Sequence, residues 1–227
     1  MNAILSFLAA PGPSATPVEP GAVDRIYRRY RFQVMGAITL CYGVSYTGRL
    51  VMGLVKQPLI DGGVFTASEL GVIGSALFYT YAFGKLFSGV AADHLHVGRV
   101  LAAAFVGSAL MNLAMGVSSG VVAWSVIWGL NGLFQSFGAP ACVVALTAWF
   151  SNNERGRMYG VWSMAHSIGE GLTYLVIGNV VAYLGWKAGF LAPTLILLAA
   201  AAVVLMWVKS RPRAHGLPSP GDWRGDN

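Results

Sequence analysis

Two cations stand inside apolar runs of membrane-spanning length. Arg49 lies in Cys41-Tyr-Gly-Val-Ser-Tyr-Thr-Gly-Arg-Leu-Val-Met-Gly53, and Lys85 lies in the run that begins near Glu69. An arginine in a bilayer costs at least about 2.5 kcal/mol even on the lenient insertion scale, and a guanidinium does not shed its charge. A water-filled cavity that receives an anion offsets that cost. A guanidinium fork with an ammonium point charge matches a phosphate or a carboxylate, and tyrosine hydroxyls position it. At helical spacing Tyr42, Ser45 and Tyr46 share the face of Arg49, while Tyr81 shares that of Lys85. Two plainer readings compete. Arg49 sits about 26 Å beyond Phe32 at 1.5 Å per residue, within snorkelling reach of the far interface. Lys85 has a possible counter-ion in an acid such as Glu170.

His166 and Glu170 are neighbours one turn apart in a later apolar run. A carboxylate beside a histidine inside a membrane carries protons, holds a cation, or acts as a fixed counter-ion. Two loops hold further charges, Asp93-His-Leu-His-Val-Gly-Arg99 and Glu154-Arg155-Gly-Arg157. Asp93, Arg99, Glu154 and Arg155 are expected to bridge helix ends as a conformational latch. The pair His94 and His96 is too sparse for a metal framework, so no metal site is assigned. No nucleophile elbow, phosphate loop or cofactor motif occurs, which leaves neither a catalytic constellation nor a cofactor to assign.

The elements that carry these residues are helices in a membrane. Of 227 residues, 56% are hydrophobic and 11% charged, against about 25% charged in soluble domains. The apolar runs are long and unbroken, which favours an all-α polytopic membrane protein over a barrel. Six spans are expected at about Phe32–Val55, Glu69–Ala92, Arg99–Val117, Val121–Phe150, Met158–Leu184 and Lys187–Val208. Residues 1–31 form a leader ending in the basic cluster Arg25, Arg28, Arg29 and Arg31; residues 32–208 form the transmembrane domain. Residues 209–227, rich in Pro, Gly and Arg, read as a disordered cytoplasmic linker or tail. The apolar stretch Ala3–Ala10 is short and lacks a basic n-region, so it is not read as a signal peptide. Cys41 and Cys142 both fall inside apolar runs and are read as unpaired thiols.

Lys and Arg fix the expected orientation. With the N-terminus inside, Arg25, Arg28, Arg29, Arg31, Arg99, Arg155, Arg157, Lys209, Arg211, Arg213 and Arg224 fall on the inner side. Lys56 and Lys187 fall outside, so both termini are expected in the cytoplasm. These charges sit at span ends, which makes them topology signals rather than a nucleic-acid footprint. Polar positions recur on the first, second, fourth and fifth spans, among them Asn131 and Gln135 on the fourth. The third span offers little beyond Ser108 and Asn112, and the sixth is almost wholly apolar. Spans one, two, four and five are therefore expected around a cavity, with three and six outside.

The motifs Tyr27-Arg-Arg-Tyr-Arg-Phe-Gln33, Tyr42-X-X-X-Tyr46-X-X-Arg49, Tyr81-X-X-X-Lys85, Phe134-Gln-X-X-Gly-X-Pro-X-Cys142, Trp149-Phe-Ser-X-X-Glu-Arg-Gly156, Trp162-X-X-X-His166 and Gly216-Leu-Pro218 carry a resemblance. From about Ile4 to Trp223 the chain resembles the N-terminal six-helix half of organophosphate:phosphate antiporters of the major facilitator superfamily, especially glycerol-3-phosphate transporters. The resemblance implies that Arg49 and Lys85 bind the phosphoryl group of substrate, with Tyr42, Tyr46, Tyr81 and His166 contributing. It implies exchange of glycerol-3-phosphate or a sugar phosphate for inorganic phosphate across a bacterial inner membrane, with no enzymatic step. A sugar-phosphate-binding membrane sensor is the alternative from another class, and an inactive truncated fragment is a third. Such transporters have a second six-helix half, so a truncated product, a separately encoded partner half and a parallel homodimer are the expectations for the missing wall.

Overall fold

A computed structural model describes residues 8–14 and 16–226, and these are almost entirely helical. We label the helices α1 (Pro20–Ser45), α2 (Thr47–Asp61), α3 (Ala67–His94), α4 (Val97–Val117), α5 (Val121–Gln135), α6 (Gly138–Trp149), α7 (Asn152–Leu184), α8 (Trp186–Trp207) and the short α9 (Pro220–Arg224). Helices α1 and α2 run on as one 42-residue span, and α5 and α6 likewise form one 29-residue span. The six spans expected from hydropathy are thus present, each long and apolar enough to cross a bilayer. The first begins twelve residues earlier than its apolar run, because Pro20 opens a helix that carries the basic cluster. The apolar stretch from Ala3 falls largely outside the described residues.

Local signals set the span ends. Thr66 and Glu69 form a capping box at the start of α3, with Glu69 Oε2 accepting from Thr66 N at 2.7 Å. His96 Nδ1 caps α4 by accepting from Arg99 N at 3.4 Å. Gly185, at φ 83°, turns the chain sharply between α7 and α8 in a conformation other residues avoid.

Packing pairs the spans. Helices α3 and α5 lie together, α4 pairs with α8, and α1 pairs with α7. Where α1 meets α7 the contact is backbone to backbone: a Cβ at Gly169 would collide with Gly43. Small residues allow such approach, and dispersion then supplies the attraction that lipid withholds. Aromatic side chains fill both ends of the bundle. Tyr27 and Trp149 are fully buried toward the basic end, and Trp124 and Phe190 toward the other. Burial differs sharply between spans, at 61% for the first but 28% and 22% for the second and fifth. The last two carry Tyr81, Lys85, His166 and Glu170, so their open sides are not purely lipid-facing surfaces.

The basic end is closed by chain that composition alone marks as disordered. Residues 212–215 form a turn of 3-10 helix and α9 follows. Trp223 stacks on Tyr27 at 4.3 Å between ring centroids and donates to Asp24 Oδ1 at 2.6 Å. Tyr27 Oη donates to the Pro218 carbonyl, and Leu217 is buried. The leader joins in, as Val18 N donates to Gly216 O and His96 N to Leu8 O. The expected disorder of the tail is therefore replaced by docking. Polar composition concealed two large aromatic rings, one on each partner surface, whose burial offsets the ordering cost.

Candidate functional site: a paired cation cluster

The site begins at an irregularity in the first span. Between α1 and α2, Tyr46 keeps right-handed helical angles, but its N–H reaches back only three residues, to Gly43 O at 3.2 Å. Ser45 Oγ donates to Tyr42 O and Thr47 Oγ1 to Val44 O, each at 2.7 Å. Hydroxyls that bond back to the preceding turn loosen helices in this way. In a membrane the carbonyls around such a turn need donors from neighbouring helices. Gly48 O accepts from Asn131 Nδ2 at 2.9 Å and from Asn112 Nδ2 at 3.2 Å, and Ser45 O accepts from Gln135 Nε2 at 3.3 Å. The donors are cross-linked, since Ser108 Oγ donates to Asn131 Oδ1 at 2.6 Å and accepts from Gln135 Nε2 at 2.8 Å.

This network changes the expected division of labour. Asn131 and Gln135 do not face an open cavity; they are buried against the first span. Ser108 and Asn112, on a span expected to stay outside the functional layer, supply half of the network. The signal in the sequence was their spacing, one helical turn apart in otherwise apolar runs. The network also touches the site, because Gln135 Oε1 faces Arg49 Nη2 at 3.5 Å.

Arg49 and Lys85 are brought together around one ring. The Arg49 guanidinium lies 4.7 Å from the Tyr81 ring centroid and 4.8 Å from that of Tyr46. Lys85 Nζ lies 4.9 Å from the same Tyr81 ring. Among the described residues neither cation forms an ion pair, and the Arg49 Nε is buried without a hydrogen-bond partner. Glu170, the acid considered as a counter-ion for Lys85, instead faces His166 at 3.8 Å.

Tyr46 joins this cluster to a second one. Its hydroxyl bonds to His166 Nδ1 and stands 3.1 Å from the Tyr42 hydroxyl. Tyr42 packs its ring on Trp162 at 4.7 Å. Both tyrosines are buried, whereas Tyr81 is half-buried and Lys85, His166 and Glu170 reach the open side. The arrangement gathers a guanidinium and an ammonium on the Tyr81 ring and links them through Tyr46 to His166, with the Glu170 carboxylate beyond it. Sequence reasoning placed these residues on common faces; it missed Trp162 as the support beneath Tyr42.

The latch residues fall at the basic end. Glu154 accepts from Arg31 at 2.7 Å and from Arg224 at 2.5 Å, which ties α7 to α1 and α9. The Arg31 guanidinium also covers the rings of Phe150 and Trp223. Arg155 donates to the Phe150 and Thr147 carbonyls, both at 3.1 Å, and so caps α6. The Asp93 carbonyl accepts from Arg211 at 2.6 Å, and Asp93, Arg155 and Arg211 line one cleft. Arg99 anchors the start of α4 through its backbone bond to His96. Burial, and then the nearby Arg99 charge, hold the His96 imidazole below its ordinary 6.5.

A bundle of six helices, each long and apolar enough to cross a bilayer, with cations on its open side, defines a polytopic membrane protein. Residues 23–224 match the Major Facilitator Superfamily, and the chain belongs to that family. It is 32% identical over 223 residues to the "Membrane sensor protein UhpC" of Salmonella typhimurium, covering 98% of this chain and 50% of that protein. It is 30% identical over 221 residues to the "Glycerol-3-phosphate transporter" of Bacillus subtilis, covering 95% and 50%. A "Probable hexose phosphate transport protein" of Chlamydia pneumoniae is 29% identical over 226 residues, covering 100% and 50%. The chain spans about half the length of these curated relatives. Among solved structures, a bacterial homologue of the human lysosomal transporter Spinster superposes with a TM-score of 0.72 at 17% identity, covering 81% of this chain and 44% of that one. At that identity the likeness speaks for the fold.

Proposed function

We propose that this chain supplies one six-helix half of a major facilitator transporter that moves a phosphorylated metabolite, glycerol-3-phosphate or a sugar phosphate, in exchange for inorganic phosphate. One observation carries the reading: Arg49 and Lys85 sit on a single tyrosine ring without a carboxylate partner among the described residues. Two cations on one ring repel unless an anion offsets their charge, and a phosphate monoester near neutral pH carries the matching charge. In this reading Arg49 grips the phosphoryl oxygens by its fork, Lys85 adds a point charge, and Tyr81 holds the two in place. His166 contributes through its open side, while Tyr42 and Tyr46 brace it. The names of the relatives agree with a phosphorylated ligand.

The low burial of the second and fifth spans supports a second six-helix unit facing the site. In this superfamily the halves are related by an axis along the membrane normal, so a partner half or a parallel copy inserts the same way round. The charge distribution supports a bacterial inner membrane location with the basic end and both termini in the cytoplasm. Alternating access would then open and close the site by rocking the two units, with the Glu154 cluster bracing the basic end of this one.

Counterflow tests this. Membrane vesicles containing the chain, preloaded with labelled phosphate, should release it faster when glycerol-3-phosphate is added outside, and Arg49→Ala should abolish the acceleration. A sensor is the second reading, favoured by the 32% identical relative, itself named a membrane sensor protein. Saturable, Arg49-dependent binding without any exchange would refute transport by this chain on its own and favour the sensor.

A further inference from the structure

Glu170 is unlike every other acid in the chain. Of nine Asp and Glu, the rest stand in the leader, in the tail or near helix ends, whereas Glu170 is placed in the middle of α7. A carboxylate at that depth is costly in lipid and marks a polar face. Its side chain is 43% exposed, and it faces His166 Nε2 at 3.8 Å, beyond hydrogen-bond reach. The same histidine gives its other nitrogen to Tyr46, whose ring carries Arg49. The carboxylate thus stands on the same side of the bundle as the cations, with His166 and Tyr46 between it and Arg49.

Its level follows from the packing. Gly43 and Gly169 touch, so α1 and α7 are level there, and both run the same way from the basic end. Arg49 therefore lies about 7–8 Å further along the axis than Glu170, at 1.5 Å rise per residue. A small phosphorylated polyol or sugar gripped at Arg49 and Lys85 spans such a distance with its far end.

We propose that Glu170 is a specificity-determining residue for that far end. It favours phosphate monoesters that present hydroxyl or ammonium donors and rejects those that present a second carboxylate. This rests on the phosphate-binding reading above. A hydroxyl donating to a carboxylate forms a strong charge-assisted bond. A ligand carboxylate in its place meets a like charge, and rejection by repulsion is how many sites achieve selectivity.

The test measures competition against labelled inorganic phosphate in membranes containing the full chain, with glycerol-3-phosphate and 3-phosphoglycerate as competitors. The wild type should prefer glycerol-3-phosphate by about tenfold or more, a factor that corresponds to one like-charge contact. Glu170→Gln should bring the ratio to within about threefold, and Glu170→Asp should restore most of it. An unchanged ratio in Glu170→Gln overturns the inference while leaving the phosphate site intact. Loss of phosphate binding in both variants also overturns it, because Glu170 would then support the anion site itself. If the wild type binds neither phosphate nor glycerol-3-phosphate, the phosphate reading fails first.

Discussion

Arg49→Lys preserves the charge and removes the geometry, and so separates an anion ligand from a snorkelling side chain. In the structure the guanidinium lies over two rings, 4.7 Å from Tyr81 and 4.8 Å from Tyr46, with Nη2 turned toward Gln135 at 3.5 Å. A guanidinium carries several N–H donors in one plane, and a phosphate accepts two of them at once. Lysine offers a single ammonium on a shorter reach, with Lys85 already on the other contact with the Tyr81 ring. The substitution then costs one charge-assisted hydrogen bond, about 1.5–3 kcal/mol. At about 1.4 kcal/mol per factor of ten, phosphate affinity should fall roughly 10- to 100-fold. Both ammonium groups can still rest on aromatic rings, so the fold should survive. The assay is equilibrium binding of labelled phosphate to membranes, with thermal stability measured alongside. An affinity within about twofold of wild type, with the protein folded, would refute the argument and return Arg49 to the far interface.

Three further outcomes follow from the same contacts. Asn131→Leu removes a donor from Gly48 O and an acceptor from Ser108, so it should destabilise the bundle by about 1–3 kcal/mol for each group left unpaired, read as a lowered melting midpoint in detergent. Trp223→Ala deletes the Tyr27 stack and the bond to Asp24; with about 1–3 kcal/mol of docking lost, limited proteolysis within residues 209–226 should accelerate about tenfold or more. His96 and His215 are both held below 6.5 by burial, with Arg99 adding to the first and Lys209 to the second. Their neutral forms are the folded ones, so the stability they contribute is complete above the unfolded value and is lost as pH falls through the depressed folded values. Protection factors for amide exchange at the basic end, taken relative to the intrinsic rate at each pH, should fall as pH is lowered from about 7.5 to about 5, and no change over that range would contradict the assignment.

How much of this was legible before the fold was known depends on the physical origin of each feature. Span positions were legible because a bilayer demands about 20 apolar residues and a helix supplies them locally. Arg49 and Lys85 were legible for the converse reason: a charge in such a run is too costly to be incidental. Their meeting on Tyr81 was not legible. It depends on the lateral distance between α2 and α3, which no periodicity encodes. The irregularity at Tyr46 was hidden too, since no proline marks it and the donors that sustain it come from Asn112, Asn131 and Gln135 on two other spans. Those residues were found by spacing and given the wrong neighbours, because an amide in an apolar helix signals a polar partner without saying whether that partner is ligand or backbone. The tail failed for a related reason. Composition averages over residues, while docking rests on two rings, Tyr27 and Trp223, almost the whole chain apart.

The same distinction bears on the site itself. Backbone carbonyls consume the amides of Asn112, Asn131 and Gln135, and Tyr42 and Tyr46 spend their hydroxyls on each other and on His166. Among the ionisable groups of this cluster, Arg49 Nε, the Lys85 ammonium, the open edge of His166 and the Glu170 carboxylate remain without a hydrogen-bond partner. In a membrane, polar groups without protein partners are the ones left for a ligand, because lipid offers them nothing. The satisfied groups therefore fix where Arg49 points, and the unsatisfied ones define what can be bound: an anion at one end and a hydrogen-bond donor at the other. A variant that relaxes the first set, such as Asn131→Leu, should lower stability and affinity together. One that alters only the second, such as Lys85→Ala, should weaken phosphate binding while the melting midpoint stays within a degree or so of wild type.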